Sequence, residues 1–275
     1  MDTKKICVVG GGKWGINHIN TLYRKNALGG IVENNDEHRI FLESKFPNIT
    51  FFKNLDDSFS SKYNGYVVAT PAVTHYKIAK KILNSGFHVL IEKPITTDLN
   101  EAIELNKIAK SKNLKLMVGH ILLFHPAFVK MKNMLLDGLL GELQYMYSNR
   151  LNLGKIRTQE NVLWSLAPHD IALFQYFTNL TPIKVESNGI DIVQPNIHDT
   201  TITSITYPNK IMGHIFVNWL HPFKEHRFVI IGSKGILHFE DSIEGKPLIF
   251  YNKEIEWEDD IPSAKSTYSK DIKYD

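Results

Sequence analysis

One cysteine in 275 residues excludes an internal disulfide. Cys7 lies in the short apolar run ICVV, where a buried, inert thiol is the simplest reading. A reducing compartment, the cytoplasm, suits such a chain. Long hydrophobic runs are missing too. The run after Lys4 and Lys5 is too short for a signal peptide, and no stretch approaches a membrane span. Charge of one sign is also scarce: 32 basic residues face 29 acidic ones, a net +3, and the two kinds are interleaved. Bases occur in pairs such as Lys80-Lys81 rather than in a stripe, so neither nucleic acid nor membrane is an expected partner. No His, Cys and Asp cluster has ligand spacing, so no metal is expected.

What is present suits two domains. Strand patterns at 5–9, 30–33, 50–52, 65–69, 87–91 and 114–118 alternate with helix patterns at 14–26, 36–46, 74–84 and 98–110. Asp98 stands as the cap of the last of these, with Glu101 at capping-box spacing. Such alternation predicts an α/β domain with a doubly wound parallel sheet over residues 1–121. Beyond it the rhythm changes. Helix patterns cover 126–136 and 168–177, and strand patterns cover 143–149, 184–190, 200–207, 211–219, 227–231, 236–240 and 248–251. Residues 122–275 therefore predict an α+β domain with an open, mostly antiparallel sheet, ending in a polar tail from about Glu256. An open sheet needs cover on both faces, which predicts a homodimer or homotetramer.

Gly10, Gly12 and Gly15 spell G-x-G-x-x-G between the first strand and the first helix. The first glycine permits a sharp turn, the second lets backbone approach a pyrophosphate, and the third lets helix pack on strand. Glu33 ends the second strand pattern, where a carboxylate would hydrogen-bond an adenosine ribose. Its charge would repel a 2′-phosphate, so NAD is expected and NADP disfavoured. His38 and Arg39 follow on a helix and weaken that expectation slightly.

Two further stretches carry chemistry. HVLIEKP places Glu92, Lys93 and Pro94 at a strand end, and NVLWSLAPHDIALF places His169 and Asp170 at a helix start. With Thr70-Pro71 and His75 after the fourth strand, the chain resembles the glucose-fructose oxidoreductase / inositol dehydrogenase / MocA family. The stretch YSNRLNLGKIR followed by NVLWSLAPHDI looks like its nucleotide-sugar branch, near the UDP-N-acetyl-sugar 3-dehydrogenases of surface-polysaccharide biosynthesis. The resemblance implies a Rossmann domain and hydride transfer between nicotinamide and a secondary alcohol of a sugar or nucleotide sugar. It places Lys93 beside the reacting carbon and makes His169 the acid/base. It adds Lys13, Trp14, Thr70, Pro71, His75, Glu92, Lys93 and Pro94 to the cofactor set. An imidazole titrating near neutrality suits proton transfer, and a lysine can steady an alkoxide.

Other substrate candidates rest on position. Asn149, Arg150, Lys155 and Arg157 suit either a diphosphate grip or a solvated loop. Trp164 suits either core or a stacking platform, and His120 closes the sixth strand. Asp170 neighbours His169. There are departures from the family pattern. Ser165 stands where many members carry an acid four positions before the histidine, so another group, such as Asp170 or a water, must orient His169. Leu122 and Leu123 replace a frequent arginine, and the chain is short for the family at its C-terminal end. The same residues would serve a ketosugar or imine reductase. A non-catalytic, dinucleotide-sensing regulator would keep the glycine turn but has no need of Lys93 and His169.

Overall fold

The computed structural model describes residues 4–265 and 268–274. Contacts divide the chain into two compact units, Met1–Gly119 and His120–Asp275.

The first unit runs β1 (Ile6–Val9), α1 (Gly15–Arg24), β2 (Leu28–Val32), α2 (Asp36–Lys45), β3 (Thr50–Phe52), α3 (Leu55–Ser58), β4 (Gly65–Val68), α4 (Ala72–Asn84), β5 (His88–Ile91), α5 (Leu99–Ser111) and β6 (Leu116–Val118). Its six strands are parallel, in the order β3-β2-β1-β4-β5-β6. The strands alternate their side chains between two helix layers. Val8, Ile31 and Val67 pack with Ile19 and Leu42, while Cys7, Val9, Tyr66 and Val68 pack with Ala79, Ile82 and Leu105. Burial of each of these valines, leucines and isoleucines stabilises by roughly 1.5–3 kcal/mol. Cys7 has no exposed surface, and burial pushes its thiol far above the usual range, which keeps it inert. The order in which strands are added to the sheet reverses between β1 and β4, so the ligand crevice of this topology opens at their C-terminal ends. β2 starts before the expected residue 30 and contains Gly29 and Gly30, because the Tyr63 ring fills their side-chain space. A Cβ on Gly30 would lie 2.3 Å from the Tyr63 hydroxyl.

The second unit runs α6 (Pro126–Leu136), β7 (Leu143–Leu153), α7 (Val162–Leu166), α8 (Pro168–Thr178), β8 (Lys184–Ile190), β9 (Thr200–Thr206), β10 (Met212–Asn218), β11 (Leu220–Gly232), β12 (Gly235–Glu240), β13 (Leu248–Asn252), β14 (Glu254–Glu258), β15 (Ile261–Lys265) and β16 (Ser269–Asp271). Eight strands form one sheet in the order β16-β13-β12-β11-β7-β10-β9-β8. Every neighbouring pair is antiparallel except β7 with β10. The three helices cover one face. Phe128, Met131, Leu173, Phe174 and Phe177 bury against strand residues such as Met146, Ile215, Val217 and Phe228. Gly213 admits the Phe174 ring, which a Cβ would meet at 2.5 Å. On the opposite face the Tyr147 ring stacks on His214, and the Tyr145 hydroxyl lies 2.6 Å from His214 Nδ1.

The polar tail expected from Glu256 is instead structured. β14 pairs with β15, and β16 extends the main sheet beside β13. These strands are largely exposed on both faces, so they carry no hydrophobic alternation to read.

Candidate functional site

The glycine turn has three separate causes. Gly10 takes φ +90°, a region that strains any other residue, and a Cβ there would sit 2.8 Å from Thr70 Cγ2. A Cβ on Gly15 would sit 1.9 Å from the Gly10 carbonyl oxygen, so α1 packs directly on the turn. Gly12 differs, because nothing lies within 4 Å of its missing Cβ. The chain's own packing does not demand a glycine there. The space it leaves is part of a cleft of about 590 Å³ lined by Gly10, Gly12, Glu33, His38, Thr70 and Pro71. Lys13 and Trp14 are exposed beside it, and Trp14 precedes α1 without a side-chain cap. A bare backbone at a helix N-terminus, an open cleft and a carboxylate at the end of β2 together fit a dinucleotide.

Glu33 is 8% exposed. Its Oε2 accepts the Gly11 N–H at 2.9 Å, and its Oε1 accepts the Asn35 N–H at 3.0 Å. His38 Nδ1 stands 3.3 Å from Oε2. Burial alone would raise the carboxyl pKa. The Asn35 and Gly11 amides and the His38 ring outweigh it and hold the group below the usual carboxylate range. The anionic charge is thus fixed at the mouth of the cleft.

Lys93 and Pro94 follow β5 at the same C-terminal edge of the sheet, joined by a cis peptide bond. Glu92 is committed to α1: its Oε1 lies 2.7 Å from His18 Nε2, and its Oε2 accepts the Lys93 N–H at 3.3 Å. Burial would raise its pKa, but His18 and the Lys93 amide lower it below the usual value. His18 gave no signal in the sequence, since one polar residue on an amphipathic helix is ordinary. His75 requires a correction. The resemblance places it in the cofactor set, yet it is 1% exposed. Its Nδ1 lies 2.7 Å from the Pro94 carbonyl oxygen and its Nε2 lies 2.8 Å from that of Thr70. Both ring nitrogens are used by the protein, which removes the polar contacts a cofactor would need.

In the second unit, His169 occupies the first turn of α8, and the His120 ring meets it edge-to-face at 6.5 Å. The next residue, Asp170, is fully buried. It accepts Arg150 Nε and a terminal guanidinium nitrogen, each at 2.8 Å, and the Ser148 hydroxyl at 2.7 Å. Burial would raise the Asp170 pKa, but the Arg150 charge and hydrogen bonds and the Ser148 hydroxyl lower it. Two expectations are corrected. Asp170 has no surface to offer a substrate, and the Arg150 guanidinium is taken by Asp170, so it does not join Arg157 in a diphosphate grip. Together they pin the first turn of α8 to β7 beside His169. Asn149 is corrected as well: the next position along a strand faces the other way, and its amide donates to Glu225 at 2.7 Å.

Arg157 stays at the surface with Glu160 at 3.6 Å, and its carbonyl accepts the Gln194 side chain. Lys155 is exposed. Trp164 is 44% exposed on α7, which removes its core reading, and Asn161 caps that helix by accepting the Trp164 N–H. A residue missed in the sequence is Asp199. It is fully buried and accepts the Ile192 and Val193 amides and the Trp219 indole N–H. Its loop carries Gln194, hence the support of Arg157. Among the described residues no group of three or more His, Cys, Asp or Glu is placed to hold a metal ion, and no helix is long and apolar enough to cross a membrane.

A parallel sheet with a glycine cradle and an acidic strand end, followed by a mixed sheet with a histidine at a helix start, is the architecture of a dinucleotide-binding protein with a second α+β unit. Residues 4–120 match the model of the oxidoreductase family with the NAD-binding Rossmann fold, and residues 128–238 match the GFO/IDH/MocA C-terminal domain. The chain belongs to the GFO/IDH/MocA family. It is 29% identical over 192 residues to UDP-N-acetylglucosamine 3-dehydrogenase of Acidithiobacillus ferrooxidans, covering 68% of this chain and 58% of that protein. It is 27% identical over 223 residues to the uncharacterized oxidoreductase YdgJ of Escherichia coli, covering 74% and 61%. The matches thus span about three-fifths of either relative. The solved structure of the Acidithiobacillus enzyme superposes with a TM-score of 0.85 at 23% identity, over 100% of this chain and 84% of that one. The WlbA dehydrogenase of Bordetella pertussis, solved with NADH and UDP-GlcNAcA, superposes at 0.79 and 20% identity, over 87% and 80%. These two likenesses show the fold.

Proposed function

We propose that the chain is an NAD-dependent dehydrogenase acting on a secondary alcohol of a nucleotide sugar. The open space over Gly12, flanked by the fixed charge of Glu33, carries the cofactor half of the reading. NAD, when bound, accepts the hydride. Glu33 receives ribose hydroxyls and repels a 2′-phosphate. Lys93 steadies negative charge on the substrate oxygen, and His169 takes the hydroxyl proton. The substrate half rests on the UDP-N-acetylglucosamine 3-dehydrogenase and the WlbA complex above. A dimer through the open face of the second sheet, a cytoplasmic setting and a role in surface-polysaccharide synthesis belong to the same reading.

Turnover of a panel of UDP- and dTDP-sugars with NAD, followed by NADH absorbance, tests it. General acid–base help is worth about 100- to 10,000-fold, so His169→Asn and Lys93→Met each lose at least the lower figure while still binding NADH. Tight NADH binding without turnover of any sugar would point to the regulatory reading instead.

A further inference from the structure

His75 connects two segments that the proposed chemistry uses separately. Thr70 lies against Gly10, where a Cβ would touch its methyl group at 2.8 Å, so the Thr70 segment forms a wall of the cofactor cleft. Pro94 directly follows Lys93. Between them stands one imidazole in the first turn of α4, 1% exposed, with a carbonyl oxygen 2.8 Å from one ring nitrogen and another 2.7 Å from the other. The Thr70 end is itself braced, since Thr70 Oγ1 lies 2.7 Å from Thr74 Oγ1 and the Thr74 hydroxyl donates to the Pro71 carbonyl at 2.7 Å. The Pro94 end is held on its other side by Glu92, which grips both His18 and the Lys93 N–H. A fully buried polar ring costs stability unless it is bonded, and this ring is bonded only to backbone of the two segments.

We propose that His75 is a positioning residue: with an N–H on each ring nitrogen, as two carbonyl acceptors require, it bridges Thr70 and Pro94 and sets the Lys93 segment in register with the cofactor cleft. The inference rests on the role given to Lys93 above. It assigns His75 no contact with NAD or sugar. The family resemblance places His75 among the cofactor ligands, and the two assignments predict different kinetics. A lost ligand raises the KM for NAD. A lost bridge leaves the cleft formed but Lys93 misplaced, so kcat falls.

The test uses the full chain with His75→Leu, which keeps bulk without donors, and His75→Gln, whose amide group carries two N–H bonds. Amide hydrogen exchange read by mass spectrometry over residues 91–97 needs no substrate. It is expected to quicken about tenfold in His75→Leu, roughly the worth of one buried hydrogen bond, and to recover in His75→Gln, with residues 28–32 unchanged. With NAD and UDP-N-acetylglucosamine, kcat is expected to fall about tenfold or more in His75→Leu, while KM for NAD stays within about threefold and His75→Gln regains part of the loss. Should His75→Leu not fold, His75→Asn, too short to span both carbonyls, is read the same way. Unchanged exchange over 91–97 in a folded variant overturns the proposal. So does a loss confined to KM for NAD, which returns His75 to the cofactor set. If the unaltered protein turns over no sugar nucleotide, the functional reading fails, and the exchange measurement still decides the bridge.

Discussion

The pair Arg150–Asp170 offers the sharpest stability test. Asp170 is fully buried and spends both oxygens on the guanidinium and one also on Ser148, while the Arg150 side chain is only 13% exposed. Asp170→Ala removes all three bonds and leaves a buried cation unpaired. Breaking a buried pair from one side costs about 3–5 kcal/mol. Domains hold only about 5–15 kcal/mol in all, so a loss of that size is a large share of the second unit's stability. Replacing all three partners, as Arg150→Met and Asp170→Leu with Ser148→Ala, removes the charges and the buried hydroxyl together and should be neutral or stabilising by about 1–4 kcal/mol. Acid sharpens the contrast. The folded carboxyl pKa is depressed, so its contribution is complete above the unfolded value of about 3.9 and disappears as pH falls through the lower folded value. The unaltered protein should therefore lose stability in that acid window relative to the variant with all three partners replaced. Urea unfolding followed by circular dichroism at neutral and acid pH measures both effects. A cost below about 1 kcal/mol for Asp170→Ala would refute the reasoning, because that is the range of a solvent-exposed pair.

Gly12→Ala should leave the melting temperature unchanged yet weaken NADH binding, whereas Gly15→Ala, aimed 1.9 Å from a backbone oxygen, should lower the melting temperature; calorimetry reads both. In titrations, NAD should bind at least about tenfold tighter than NADP, a difference of about 1.4 kcal/mol. Glu33→Ser should narrow that gap and also lower the melting temperature, since it unties the Gly11 amide; equal affinities in the unaltered protein would defeat the charge argument. Ile202→Asp, on the exposed side of β9, should shift a sedimenting dimer to monomer, and an unaltered protein already monomeric at working concentration would defeat the interface.

The first unit was legible because its signals are local. Apolar runs such as GYVV give buried parallel strands, and the glycine spacing reports a turn whose reasons lie within a few residues. Asp98 likewise capped α5 as its spacing foretold, accepting the Asn100 and Glu101 amides. The failures at the site are side-chain pairings that only the fold makes. Nothing around His75 announces that its partners are the Thr70 and Pro94 carbonyls, and nothing around Asp170 announces Arg150, twenty residues earlier in the chain. A motif reports residue types, and only the fold decides whether a charged group meets a ligand or another side chain. Polar strands such as β14 and β15 failed for a different reason: exposed on both faces, they have no buried side to give them a period.

β7 carries two independent duties on one backbone. Ser148 and Arg150 turn toward the helices and hold the start of α8, while Tyr147 and Asn149, between and before them, turn to the open face toward His214 and Glu225. Because side chains alternate strictly, the two sets can be exchanged by sliding the strand a single residue. An insertion ahead of Tyr147 would deliver tyrosine and asparagine to the buried carboxylate and present the arginine to the open face. A substitution on either side leaves the other set in place. The open face of the sheet can therefore drift freely in sequence, while the spacing of the strand beneath His169 cannot.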